Sequence, residues 1–232
     1  MNTVLITGAS RGIGYAIAQS LSMQDSDFNT IILVARDGQR LNEARNELAV
    51  DAAGKTVHGI IADLGTSGFE KALFDEIEAL DLNVTAIVNN AGYTAPCAFN
   101  EITDFDLDLT MQINFKAPIV LVREARLRGH GLKTIVNIAS TAGMNGRPEW
   151  TIYSASKAAL LAASESMFEE FKHDGIDVLR LSPGRCATDL RKVLAPDEDP
   201  ASIMQPSGVA QSLKFLLSEQ GRHLRQQNLV VR

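Results

Sequence analysis

Apolar and polar positions along the chain fall into two alternating kinds of stretch. Short runs rich in Val, Ile, Leu and Thr occupy residues 3–7, 29–35, 57–62, 84–89, 133–139, 177–181 and 228–231, the length and content of seven strands. Between them lie longer segments in which apolar residues recur every three or four positions, beginning near Gly12, Gln39, Ser67, Asp104, Thr151 and Pro206. Each is long enough to carry the chain back across a sheet to a parallel neighbour. The runs Ile31-Ile32-Leu33-Val34 and Ala86-Ile87-Val88 are apolar without alternation, as strands covered on both faces should be. The pattern predicts an α/β fold, a doubly wound parallel sheet in one domain over residues 1–232, with no repeat or linker to divide it. The stretch 190–206 is the least periodic and reads as a long surface loop of the kind that covers a site.

Charge and cysteine usage narrow the classes further. Lys and Arg number 22 against 28 Asp and Glu, a net charge of −6, and only Arg123, Arg126 and Arg128 crowd together. Nucleic-acid binding by counterion release needs clustered cations, so no nucleic-acid partner is expected. Cys97 and Cys186 form no C-x-x-C pair, which excludes a disulfide framework or zinc site and suits a reducing, cytoplasmic setting. No apolar stretch approaches the length of a membrane span, and no basic leader precedes the first strand, so neither membrane insertion nor secretion is expected.

Candidate chemistry begins directly after the first strand, in Thr7-Gly8-Ala9-Ser10-Arg11-Gly12-Ile13-Gly14, where a helical pattern follows at once. Glycines at the mouth of a helix let the backbone approach a pyrophosphate, whose charge the free N–H groups and the helix dipole stabilise. A tight strand-to-helix turn is the plainer alternative. The second strand ends Val34-Ala35-Arg36, without the acid that would hold a ribose 2′-hydroxyl. Arg36, with Arg11 in the loop, could instead bind a 2′-phosphate, which favours NADP(H) over NAD; two solvated surface arginines are the alternative.

Tyr153 and Lys157 stand four residues apart in a helical pattern and therefore on one face. A phenol with a pKa of about 10 is a poor proton donor or acceptor at neutral pH, and a neighbouring ammonium would lower that value. Ser140, 13 residues earlier, ends the fifth strand, and carboxyl ends of such strands are where open α/β sheets bind ligands. Its hydroxyl could bond a substrate carbonyl, or simply cap the next segment. Asn114 sits inside a helical pattern, where asparagine is mildly unfavourable and needs a reason.

Taken in order, Thr7-Gly8-x-x-x-Gly12-x-Gly14, Asp63-Leu64, Asn89-Asn90-Ala91-Gly92, Asn114, Ser140, Tyr153-x-x-x-Lys157 and Pro183-Gly184-x-x-x-Thr188 resemble the short-chain dehydrogenase/reductase family along essentially the whole chain, its 3-oxoacyl-[acyl-carrier-protein] reductase-like members in particular. The resemblance implies a Rossmann-type sheet of order 3-2-1-4-5-6-7 and hydride transfer between NADP(H) and an alcohol or ketone carbon. It implies Tyr153 as general acid/base and Lys157 as the residue that lowers its pKa and binds the nicotinamide ribose. Ser140 would polarise the carbonyl, and Asn114 would help hold a water in the proton relay. The loop residues Gly8, Ser10, Arg11, Gly12, Ile13 and Gly14 would then face the cofactor, with Arg36 at the 2′-phosphate, Asp63 and Leu64 at the adenine, and Asn90, Ala91 and Gly92 along the ribose. Pro183, Gly184, Cys186 and Thr188 would surround the carboxamide.

Several features qualify that picture. Cys186 replaces a common aliphatic residue and would leave a thiol near the cofactor, open to thiol reagents. The last strand is followed by Arg232 rather than an Asp-Gly-Gly segment; the resemblance still implies a homo-oligomer, a dimer or tetramer, with the long apolar helical patterns at 104–128 and 151–173 in a self-complementary contact, and plain core burial of those helices is the alternative. Asp104, Asp106 and Asp108 lack the glycine and glutamate of a calcium loop, the four histidines share no ligand spacing, and no metal is expected. The histidines are expected on the surface or in loops. The expected partner is a small carbonyl or alcohol substrate; Arg126 and Arg128 could greet an acidic carrier-protein thioester, while Asp174 and the overall charge argue against one. A catalytically idle NADP-binding sensor or scaffold is the rival from another class.

Overall fold

The computed structural model describes residues 2–52 and 54–232, the side chain of Asp51 apart. Seven strands, β1 (Thr3–Thr7), β2 (Thr30–Ala35), β3 (Thr56–Ile61), β4 (Val84–Asn89), β5 (Thr134–Ile138), β6 (Asp177–Pro183) and β7 (Asn228–Val231), pair in parallel in the order β3-β2-β1-β4-β5-β6-β7. Successive side chains of a strand point to opposite faces, and the central strands are apolar at every position because both faces are covered. Val4, Ile6, Ile31 and Leu33 join one core with α1 (Gly12–Ser22), α2 (Gly38–Asp51) and α8 (Pro206–Leu217). Leu5, Ile32, Val34 and Ile135 join the other with α3 (Phe69–Ala79), α5 (Ala117–Leu127) and α6 (Thr151–Phe171). The edge strands β3 and β7 are only partly buried, in keeping with one open side each.

The helical pattern at 104–128 is not one regular helix. It comprises α4 (Asp104–Met111), a π-turn over Gln112–Lys116 and α5, with the N–H of Ala117 bonded to the carbonyl of Gln112. Pro118 has no N–H to offer the carbonyl of Asn114, so the i→i+4 ladder cannot run through this point and the turn widens.

The stretch 190–206 is likewise more ordered than its composition suggests. It holds the short helix α7 (Asp189–Leu194) and a single 3₁₀ turn at Pro200–Ser202. Thr188 starts α7 by accepting the N–H of Arg191 at 3.1 Å, a local cap that apolar periodicity cannot reveal in so short a helix. The excursion is closed at its base by the Ala187 N–H donating to the carbonyl of Met204 at 2.9 Å.

One surface expectation needs correction. The arginine cluster is not a free basic patch: Arg128 binds Asp75, Glu78 and Glu124 at 2.6–3.0 Å, and Arg126 binds Asp174 at 2.9 Å while lying over the Phe171 ring. His130 lies in the loop before β5, as expected, with its ring partly buried. Its Nδ1 accepts the N–H of Val84 at 3.2 Å, its ring packs on Phe74, and burial lowers its pKa.

Candidate active site

At the carboxyl ends of the strands, where β1 has β2 as its sheet neighbour on one side and β4 on the other, a cleft of about 480 Å³ opens. This is the crevice that reversal of strand order leaves in any doubly wound sheet. One wall is the loop from β1 to α1, with Gly8, Ser10, Arg11, Gly12 and Ile13 facing the cleft. Arg11, the N-cap of α1, makes no side-chain cap, so the first-turn donors of the helix are left for a ligand. The loop is pinned from β4: the Asn90 amide donates to the carbonyls of Thr7 at 2.9 Å and Gly8 at 3.2 Å, while the Thr7 hydroxyl accepts the N–H groups of Asn90 and Ala91.

Gly14 stands behind the cleft rather than in it. A Cβ there would lie 2.3 Å from the Gly8 carbonyl oxygen and 2.5 Å from the Asn90 amide nitrogen, so its role is close packing of α1 against the strand ends. Asn114 is the second departure: it is fully buried and does not line the cleft. Its side-chain oxygen accepts the N–H of Tyr93 at 2.8 Å, and its amide donates to the Tyr93 carbonyl and the Ser156 hydroxyl, each at 2.9 Å. An asparagine inside the helix is thereby explained. It ties the β4 loop to α6, one residue from Lys157.

The remaining candidates all face the cleft. Arg36, Asp63 and Leu64 lie at the end nearest β2 and β3, Asn90, Ala91 and Gly92 along its middle, and Pro183, Gly184, Cys186 and Thr188 beyond β6. At the β2 end the arginines differ in freedom. Arg11 is paired with Asp189 at 2.8 Å and Arg40 approaches Asp37 at 3.5 Å, whereas Arg36 has no carboxylate partner among the described residues. Asp37, a cleft carboxylate that the strand pattern did not single out, caps α2 by accepting the Arg40 N–H at 3.1 Å.

Ser140, Tyr153 and Lys157 converge at the far end. The Tyr153 side chain is almost wholly buried and is hydrogen-bonded to Ser140, whose hydroxyl also accepts the Ala142 N–H at 3.1 Å. A Cβ at Gly143 would come within 2.7 Å of the α6 backbone, so glycine is what lets the turn after Ser140 settle against the helix that carries Tyr153. Lys157 shares the face of Tyr153 as spacing predicts, but its ammonium turns under the ring, 6.0 Å from the centroid, and donates to the Ile138 carbonyl at 2.9 Å.

The electrostatics differ from the sequence argument. Burial raises the Tyr153 pKa above its ordinary value; the opposing influences are the Ser140 hydrogen bond and then the charge of Arg191, not Lys157. Burial lowers Lys157 to about 8. Cys186 faces the cleft as expected, yet burial pushes its thiol up to about 11, so the thiolate that reagents attack is scarce at neutral pH.

A protonated phenol, a serine hydroxyl and a buried ammonium with two N–H donors unmatched among the described residues can together bind a polar oxygen and hand it a proton. The description "short chain dehydrogenase" belongs to a family model that matches residues 2–199. The chain belongs to that family. This short-chain dehydrogenase is 30% identical over 239 residues to the 3-oxoacyl-[acyl-carrier-protein] reductase FabG of Rickettsia bellii, covering 99% of this chain and 94% of the relative. Among solved structures it resembles a 4-hydroxyisoleucine dehydrogenase mutant complexed with NADH and succinate, at a TM-score of 0.85, 26% identity and coverage of 99% and 96%. It also resembles a blue fluorescent protein from a metagenomic library in complex with NADPH, at a TM-score of 0.85, 28% identity and coverage of 99% and 96%.

Sequence reasoning missed a second set of cleft residues, Tyr93, Arg147, Trp150 and Arg185, while Arg191 lies in the stretch 190–206 expected to cover the site. They sit in loops or at helix starts, where no spacing rule marks them. Among the described residues no helix is long and apolar enough to cross a membrane, and no group of three or more His, Cys, Asp or Glu side chains could hold a metal ion.

Proposed function

We propose that this short-chain dehydrogenase is an NADPH-dependent carbonyl reductase that converts a ketone to a secondary alcohol. The observation that carries the reading is the convergence of the Ser140 hydroxyl with the buried Tyr153 and Lys157 side chains at the floor of a glycine-walled cleft. The chain's own groups fit a dinucleotide. Uncapped first-turn donors of α1 suit a pyrophosphate, Lys157 has donors to spare for ribose hydroxyls, and Arg36, without an acid partner among the described residues, suits a 2′-phosphate. A bound nicotinamide supplies the hydride.

In this reading Ser140 donates to the substrate carbonyl oxygen and holds it beside Tyr153. Hydride arrival at the carbon turns that oxygen towards alkoxide, and the Tyr153 proton neutralises it. A phenol whose pKa is raised by burial is protonated at neutral pH, which suits reduction; the reverse reaction needs the phenolate and gains as pH rises. Asn114 acts as a positioning residue through Tyr93 and Ser156. The segment 190–206 would serve as a lid, since α7 brings Leu190, Arg191 and Leu194 to the cleft. The exposed Phe105 and Leu127, flanking the helices at 104–127, suit a homo-oligomer contact.

The named relative favours a 3-oxoacyl thioester as substrate, and this is the second reading. Against it, Arg126 and Arg128 are already matched by acids and offer little to an acidic carrier. NADPH oxidation at 340 nm with a panel of ketones and 3-oxoacyl thioesters, beside Tyr153→Phe, tests both. Turnover abolished in the variant with NADPH binding retained is expected; tight NADPH binding with no turnover of any compound would mark an idle sensor or scaffold.

A further inference from the structure

The substrate end of the cleft is lined by cations. Arg147, Arg185 and Arg191 all face it, and the nearest acids are already committed. Glu198 holds Arg191 through two contacts of 2.5 and 2.8 Å and also reaches Arg185 at 3.3 Å. Asp189 pairs with Arg11 at 2.8 Å and lies 3.8 Å from Lys192. Three guanidiniums against one shared carboxylate leave a positive excess beside the reacting centre, and it is felt there: the Arg191 charge acts on the Tyr153 phenol.

Arg147 is the member with no carboxylate partner among the described residues. Its guanidinium rests 5.3 Å from the Trp150 ring centroid, Arg191 lies 5.5 Å from the same ring, and Trp150 meets Tyr153 edge-on at 6.3 Å. The indole therefore links both cations to the catalytic phenol. The backbone presents this group in an unusual way. The Trp150 N–H closes a turn on the carbonyl of Arg147 at 3.2 Å, with Pro148 and Glu149 at the corners. Glu149 has a φ of 65°, a left-handed conformation that glycine would take without strain. Its carbonyl accepts the Cys97 N–H at 3.1 Å, which ties the turn to the segment after β4.

We propose that the substrate carries an oxyanion group, a carboxylate or a phosphate, close to the carbonyl that is reduced, and that Arg147, braced on Trp150, is its specificity-determining anchor. The proposal rests on the reductase reading for the identity of the reacting carbon, but not for the existence of the anion site. A planar guanidinium forks onto two oxygens of either anion, and stacking on an indole removes much of the freedom that an exposed arginine would otherwise lose on binding. A neutral ketone would leave the positive excess uncompensated.

The test uses 2-, 3- and 4-oxopentanoates, their methyl esters and 2-oxopropylphosphonate, in NADPH oxidation and in calorimetric titration of the NADP⁺-loaded protein. The acids, or the phosphonate, are expected to exceed the esters in kcat/KM by about tenfold or more, the better of the two naming the anion. In Arg147→Gln that ratio falls towards one, chiefly through KM, whereas Arg222→Gln, outside the cleft, keeps it. Equal handling of acids and esters, or an unchanged ratio in Arg147→Gln, overturns the proposal. If nothing turns over yet an anion binds wild type and not Arg147→Gln, the anion site stands and the reductase reading fails; if no anion binds or turns over, the site is refuted.

Discussion

Two polar strips cross from the sheet to α6, and they are built to opposite ends. In the deeper strip the Asn89 amide donates to Asn137 at 2.8 Å, Asn137 donates to Ser164 at 2.8 Å, and Ser164 donates to the Leu160 carbonyl, all of them almost wholly buried. Asn89 and Asn137 are register partners on β4 and β5, so the strip is a transverse tie between neighbouring strands and the helix over them. The outer strip, Ser140, Tyr153 and Lys157, is equally buried in its tyrosine and lysine but leaves donors unmatched and pKa values displaced. The deeper strip passes its hydrogen bonds from strand to strand to helix, with the Asn89 Oδ1 alone left without a partner among its atoms, and it holds the fold. Polar groups held open by the same scaffold are available for chemistry, at some loss of stability.

Substitutions should separate the two strips. The largest effect is expected for Tyr153→Phe, which removes the proton donor. Its kcat should fall by about 10³-fold, or about 4 kcal/mol of transition-state stabilisation, with a melting temperature close to wild type. A matching loss of stability would place Tyr153 with the structural strip.

Asn137→Leu should do the reverse. It strands the Asn89 amide and removes the donor to Ser164, and a loss of about 3 kcal/mol is expected, or roughly 6–12 °C in melting temperature for a domain of this size. The folded fraction should keep its kcat at low temperature, and a variant that is stable but inactive would break the contrast.

Lys157→Met tests whether the outer strip is held against the fold's preference. The folded pKa of about 8 lies below the ordinary 10.5, so the group binds fewer protons folded than unfolded, and stability rises with pH between those values. At pH 7 the charged lysine carries a penalty of about 3 kcal/mol, partly offset by its bond to Ile138. The cofactor-free variant should be more stable by about 1–2 kcal/mol and inactive. A lower melting temperature than wild type would show that the ammonium supports the fold instead.

The smallest effect is expected away from both strips. His130 accepts a bond through a neutral ring nitrogen and its pKa is lowered, so its contribution is present above the unfolded value and lost as pH falls through the folded one. Urea midpoints compared above and below pH 6.5 should differ by less than about 1 kcal/mol after solvent screening, and His130→Gln should flatten that difference.

What could be read from the chain alone follows from local physics. Short unbroken apolar runs rich in β-branched residues read as strands covered on both faces, and their alternation with helical periods points to a parallel, doubly wound sheet; the glycine loop and the Tyr153–Lys157 spacing are likewise local. Tertiary packing decided the rest. Whether Asn114 touches a ligand or staples two elements depends on Tyr93 and Ser156, 21 and 42 residues away. Where the Lys157 ammonium points depends on a carbonyl of β5, and the pKa shifts of Tyr153, Lys157 and Cys186 come chiefly from burial, which periodicity does not measure. The cations of the substrate end lie on two separate segments, Arg147 on one and Arg185 with Arg191 on the other, that only the folded chain brings to one cleft, because charge in a site is set by proximity in space and sequence spacing reports it only within a single helix or turn.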